Sequence, residues 1–136
     1  MSDHHGRRIL IIDNDEDLAR AIATRLSHLG YVCVTAASGT QGLSIFQDGD
    51  VDLVITDLNM PCADGIEVLE SIRRSSDVPA IVVTGFNDEY RDRLRRIRGV
   101  TRMVKPFDSE ALVDLVELEL GWVHAGGNRL AGDEWG

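Results

Sequence analysis

A chain of 136 residues with a formal net charge of −9 has room for one domain with a substantial core, and its acidity argues against nucleic-acid binding through the domain as a whole. No apolar stretch approaches the ~20 residues that span a bilayer, and the start, Met1-Ser2-Asp3-His4-His5-Gly6-Arg7-Arg8, has no apolar signal core. Cys33 and Cys62 make no disulfide framework. They read as free thiols in a reducing, cytoplasmic setting, with Cys33 a small buried hydrophobe.

In chain order, Ile9-Leu10-Ile11-Ile12 is a continuous apolar run of the kind a strand covered on both faces shows. A helix is predicted from Asp15, with acids in its first turn, Leu18, Ile22, Leu26 and Leu29 at helical spacing, and Gly30 as its stop. Residues 31–36 predict a second strand and 39–47 a short helix with Leu43 and Phe46 on one face. Leu53-Val54-Ile55-Thr56 is a third strand ending at Asp57. After the Asn59-Met60-Pro61 turn, Ile66, Leu69 and Ile72 mark a third helix.

Ala80-Ile81-Val82-Val83 predicts a fourth strand, entered through Pro79 and ending at Thr84-Gly85. Tyr90, Leu94 and Ile97 place a fourth helix closed by Gly99, and Met103-Val104 a short fifth strand before Lys105-Pro106. Ser109 is the expected cap of a last helix carrying Leu112, Leu115, Val116 and Leu120. Residues 123–136 are glycine-rich and read as a disordered tail behind one domain at 7–122, with no effector domain following.

Strands and helices in alternation imply right-handed βαβ units, hence an α/β fold with a parallel sheet covered on both faces. In such sheets ligands sit beyond the carboxyl ends of the strands. Polar groups gather there: Asp13-Asn14-Asp15, Asp57, Thr84 and Lys105 follow four of the five strands. Carboxylates crowded at one rim repel unless a cation lies between them. Oxygen donors without a suitably placed His or Cys suit Mg²⁺ better than Zn²⁺. Lys105 is also the only lysine against thirteen arginines, which suits a site needing a compact ammonium. A carboxylate, a cation, a hydroxyl and an ammonium are together what phosphoryl transfer requires. Each residue alone reads more simply: Asp13 or Asp57 as a cap or loop residue, Thr84 as a strand end, Lys105 as a solvated charge.

The runs Ile9-Leu10-Ile11-Ile12-Asp13-Asn14-Asp15-Glu16-Asp17-Leu18, Asp52-Leu53-Val54-Ile55-Thr56-Asp57-Leu58-Asn59-Met60-Pro61, Asp64-Gly65, Ile81-Val82-Val83-Thr84-Gly85 and Met103-Val104-Lys105-Pro106-Phe107 closely resemble the CheY-like receiver domains of two-component response regulators. The resemblance implies a doubly wound, flavodoxin-like five-stranded sheet in the order 2-1-3-4-5 with five helices. It implies that Asp57 accepts a phosphoryl group from a histidine kinase or phosphotransfer protein, that Asp13 and Asp57 hold Mg²⁺, and that Asn59 adds its backbone carbonyl. Thr84 would move toward the phosphoryl group and Lys105 would ion-pair with it, with Lys105-Pro106 a cis peptide. Such a domain is a signalling switch rather than an enzyme, and acts on a downstream protein through the fourth helix and fifth strand as a monomer or weak dimer.

Two positions depart from the family pattern. Asn14 stands where a second metal-binding carboxylate is usual, so it would contribute weakly or indirectly. Arg102, three residues before Lys105, stands where an aromatic switch residue is usual. Asp15 is expected to point away from the metal. The fourth helix region carries Arg91, Arg93, Arg95, Arg96 and Arg98. It reads either as a solvated face paired with Asp88, Glu89 and Asp92 or as a basic output face toward an acidic partner. His4 and His5 read as part of the terminus, not as a metal site. Two rival functions share these residues. A haloacid-dehalogenase-like phosphatase would use Asp13, Asp15, Thr84 and Lys105, and a pseudo-receiver would keep the fold as a phosphorylation-independent binding module.

Overall fold

The computed structural model describes residues 6–58, 65–85, 91–105 and 107–120. Ten elements alternate: β1 (Arg8–Ile12), α1 (Glu16–Ser27), β2 (Val32–Ala36), α2 (Gly39–Asp48), β3 (Leu53–Asp57), α3 (Gly65–Arg73), β4 (Ala80–Thr84), α4 (Arg91–Arg95), β5 (Val100–Val104) and α5 (Ser109–Glu119). All strand pairs are parallel and the spatial order is β2-β1-β3-β4-β5. The order reverses between β1 and β3, which opens a crevice beyond their carboxyl ends.

The apolar runs of the three central strands follow from burial on both faces. Leu10, Ile12, Val54, Ala80 and Val82 pack with α3 and with Leu94 and Ile97, while Ile9, Ile11, Leu53, Ile55, Ile81 and Val83 pack with α1 and α5. Alternate side chains thus build two cores on one sheet. At about 0.8 kcal/mol per buried methylene, these fully buried Ile and Leu side chains fix the register, because a slip by one residue would exchange the two cores.

Caps set the helix starts. Asp15 accepts a bond from the Leu18 amide at 3.1 Å and Ser38 from the Gln41 amide at 3.1 Å. Gln41 in turn accepts the Ala37 amide at 2.8 Å, a variant of the reciprocal capping box. Gly30, at φ 102°, ends the turn after α1 in a conformation that disfavours other residues.

The structure corrects four boundaries. Asp108, not Ser109, caps α5, accepting the Glu110 amide at 3.1 Å. The second strand starts at Val32, with Tyr31 buried just before it. β5 spans five residues rather than two, because an edge strand tolerates the polar Thr101 and Arg102 that hide it in the sequence. Among the described residues α4 covers Arg91–Arg95. It gives way to i→i−3 bonds from the Arg96 and Ile97 amides to Arg93 and Leu94, the tightened geometry common at helix ends. Arg96 and Arg98 therefore lie beyond the helix. The expectations for His4, His5, Asn59, Cys62, Asp88, Glu89, Tyr90, Pro106 and the tail lie outside the described residues.

Candidate functional site

Each strand end sets one side chain. Asp13 follows β1, its amide still bonded to Ala36 O at 3.0 Å, and its Oδ1 accepts the Asp15 amide at 2.8 Å. Asp57 is the last residue of β3, and Thr84 the last of β4. Beyond β5, the Lys105 amide donates to Thr84 O at 2.7 Å. That single bond extends the parallel ladder by one residue and turns Lys105 inward. Its Nζ lies 3.5 Å from Oδ2 of Asp57 and 3.9 Å from Oδ2 of Asp13. The sequence reading grouped Asp13, Asp57, Thr84 and Lys105 at one rim, and the structure brings them together.

Asp13 and Asp57 are both buried, and among the described residues one partly exposed ammonium, that of Lys105, forms ion pairs with them. Burial pushes the Asp13 carboxyl above its ordinary value; the Asp15 amide opposes this, Asp57 adds to it, and Lys105 opposes it. Thr84 is only 2% exposed and its hydroxyl has no hydrogen-bond partner among the described residues. A buried, unpaired hydroxyl is costly, and is accounted for if it serves a group that arrives later.

Asn14 and Asp15 occupy different roles from Asp13. Asn14 sits exposed in the bend between β1 and α1, and Asp15, which the sequence reading expected only to point away from the metal, is committed to capping α1. Among the described residues, no three His, Cys, Asp or Glu side chains converge. Two buried carboxylates still match Mg²⁺, which commonly takes only one or two protein carboxylates. Their residual repulsion fits a divalent cation between them.

Arg102 is exposed on β5, in register with Val82 and hence on the α4 side of the sheet. It borders a cavity of about 370 Å³ with Leu94, Arg95 and Val100, and has no ion pair among the described residues. The neighbouring arginines are paired, Arg95 with Asp92 as the sequence suggested and two others with acids outside that helix. Arg93 reaches Glu70 at 3.6 Å, Arg95 reaches Asp92 at 3.7 Å, and Arg98 reaches Asp77 at 2.6 Å. Such exposed pairs contribute little stability.

Sequence reading gave Gly65 no role. A Cβ there would strike the Asp57 carbonyl oxygen and lie 2.9 Å from Leu58 Cα, so its lack of a side chain lets α3 start against the tip of β3. The signal available was a glycine opening a helix just after a strand. Arg73 was also missed. Its guanidinium donates to the carbonyls of Arg98 at 2.8 Å, Ser76 at 3.2 Å and Gly99 at 3.2 Å, tying the end of α3 to the loop before β5.

Comparison with known proteins agrees with this geometry. The family described as "Response regulator receiver domain" matches residues 9–117. The structure of response regulator TrrA from Thermotoga maritima, in complex with Mg(2+)-BeF, superposes with a TM-score of 0.74 at 32% identity. That match covers 83% of this chain and 98% of TrrA. A receiver domain protein from Clostridium thermocellum gives 0.75 at 28% identity, covering 85% and 95%. The probable transcriptional regulator ycf27 of Cyanophora paradoxa is 38% identical over 108 residues, 78% of this chain and 45% of that protein. The uncharacterized transcriptional regulatory protein YrkP of Bacillus subtilis is 36% identical over 107 residues, 77% and 46%. The chain thus spans less than half the length of these curated relatives. With its sheet order, its rim of Asp13, Asp57, Thr84 and Lys105 and these matches, the chain belongs to the response regulator receiver domain family of two-component systems.

Proposed function

We propose that a domain at residues 7–122 accepts a phosphoryl group from a phosphohistidine of a histidine kinase or phosphotransfer protein onto Asp57. The observation that carries this reading is the convergence of the Lys105 ammonium and the unpaired Thr84 hydroxyl on the rim that holds Asp57. An Asp57 carboxylate oxygen attacks phosphorus, the P–N bond breaks, and the imidazole nitrogen leaves with the electron pair and takes up a proton. Mg²⁺ held by Asp13 and Asp57, with the Asn59 carbonyl and at most weak help from Asn14, would supply charge neutralisation for the transferring oxygens. Lys105 pairs with the product and Thr84 donates to it. The same groups favour slow hydrolysis of the acyl phosphate, so the domain is a self-resetting switch.

Modification adds about −1.5 to −2 charges at the rim and shifts an existing equilibrium through Thr84 toward the surface of α4 and β5, where Arg102 stands and a downstream protein would dock. The protein would work in the cytoplasm as a monomer or weak dimer. Because the longer relatives are named transcriptional regulators, we infer that its output reaches DNA through another segment or partner. Direct contact by this acidic domain would be disfavoured.

Mass spectrometry after treatment with acetyl phosphate and Mg²⁺ tests the reading. The wild type should gain one phosphoryl group on Asp57 and Asp57→Ala none. A wild type that stays unmodified would favour the phosphorylation-independent module to which exposed Asn14 and Arg102 point. Label on Asp13 would favour phosphatase chemistry.

A further inference from the structure

A second concavity lies between α1 and α5. It measures about 680 Å³ and is lined mainly by apolar side chains, among them Leu18, Ile22, Phe107, Leu112 and Val113. Two cations, Arg25 and Lys105, complete the lining. Lys105 therefore borders both this groove and the acidic rim. Arg25 is half exposed and shares its charge with Glu110 of α5 at 3.6 Å.

Open apolar ground of this size calls for an occupant, and the lining specifies one: bulky apolar groups with acids between or beside them. Residues 130–135, Leu-Ala-Gly-Asp-Glu-Trp, have that composition. Their reach suffices. The groove touches α5 at Ser109, Leu112 and Val113, and Leu120 lies about 16 Å further along the helix at 1.5 Å per residue. The ten residues between Leu120 and residue 131 can span up to about 33 Å. A tethered segment meets its site at an effective concentration near millimolar, so even weak complementarity gives occupancy.

We propose that the groove between α1 and α5 is a docking site for this chain's own residues 130–135, with Leu130 and Trp135 on the apolar floor and Asp133 and Glu134 toward Arg25 and Lys105. An acid drawn to Lys105 competes with Asp57 for its ammonium. Release of the segment would then make Asp57 modification faster, a coupling that rests on Asp57 being the acceptor, whereas the docking itself does not.

Both tryptophans of the chain, Trp122 and Trp135, lie in the C-terminal segment, so in a Trp122→Phe variant of the full chain all tryptophan emission reports Trp135. Docking predicts blue-shifted emission with several-fold protection from acrylamide, independent of protein concentration. Adding Ala21→Glu, which places a repelling charge at an exposed position lining the groove, should restore the emission and quenching of a solvated indole. Identical emission with and without Ala21→Glu overturns the proposal, as does a blue shift that grows with protein concentration and so marks a second copy as occupant. Circular dichroism confirms that the variant is folded, and Leu130→Ser, in the proposed occupant itself, provides an independent disruption with the same expected result. Because no phosphodonor is used, this outcome is separate from whether Asp57 is modified.

Discussion

The Nζ of Lys105 stands 3.5 Å from Oδ2 of Asp57, and the same side chain borders the apolar groove between α1 and α5. Among the described residues one ammonium thus faces two buried carboxylates, an arrangement with measurable electrostatic consequences.

Asp57→Asn removes one of two buried like charges and leaves Lys105 to Asp13 alone. The variant should be more stable than wild type in the absence of divalent metal, by about 1–2 kcal/mol, as is common when a strained functional site is neutralised. Urea unfolding at neutral pH provides the measurement; a variant less stable than wild type would show that the Lys105–Asp57 attraction outweighs the repulsion.

Asp13 sets a pH dependence. Folding raises its pKa above the ordinary 3.8, so the native state binds its proton more tightly than the unfolded chain. Below the unfolded value this group leaves stability unaffected. Its contribution then turns unfavourable as pH climbs from 3.8 through the raised native value, and stays so above it. Asp13→Asn should remove that fall, seen as a smaller loss of urea midpoint between acidic and neutral pH. Parallel profiles for wild type and variant would contradict it.

Thr84→Val replaces a buried hydroxyl that lacks a partner among the described residues with a methyl of similar size. Stability should hold or rise by up to about 1 kcal/mol. The response to a phosphoryl mimic such as beryllofluoride, read as an amide chemical-shift change in β5, should shrink strongly. A loss of more than about 2 kcal/mol would mean the hydroxyl is already bonded in the resting state.

Asn14→Asp adds a carboxylate beside the two that converge. Mg²⁺ should bind more tightly by about 1–3 kcal/mol, and calorimetric titration of both proteins decides the matter. Equal affinities would place residue 14 outside the metal's reach.

Two glycines should differ under the same substitution. In Gly65→Ala the new methyl meets backbone at the tip of β3, which cannot yield, so a loss of about 1–3 kcal/mol is expected. In Gly42→Ala it meets the side chain of Ile12, 2.5 Å away at Cδ1. Cγ1 of Ile12 lies 2.8 Å away as well, so that side chain must shift, yet it can do so where backbone cannot, and the gain in helix propensity of about 1 kcal/mol offsets part of the clash. Thermal unfolding of the pair should show Gly65→Ala as the more damaged.

Sequence by itself determined the architecture and the rim. Doubly buried strands read as uninterrupted Ile, Leu and Val, helices keep their 3.6-residue period, and a parallel sheet must bring consecutive strand ends to one edge, so Asp13, Asp57, Thr84 and Lys105 were legible as neighbours. Local signals were weaker where one-sided burial dilutes the pattern. β5 was underestimated and α4 overestimated for that reason, and the α5 cap moved by one residue because Asp108 and Ser109 can both cap. Only the tertiary structure decided which groups are spent and which are free. It assigned Asp15 to a cap, left the Thr84 hydroxyl without a partner among the described residues, exposed Arg102 on the α4 side, placed Gly65 against the Asp57 carbonyl and turned Lys105 toward both carboxylates and the groove. Those facts depend on distances between residues far apart in the chain, which periodicity and composition do not encode.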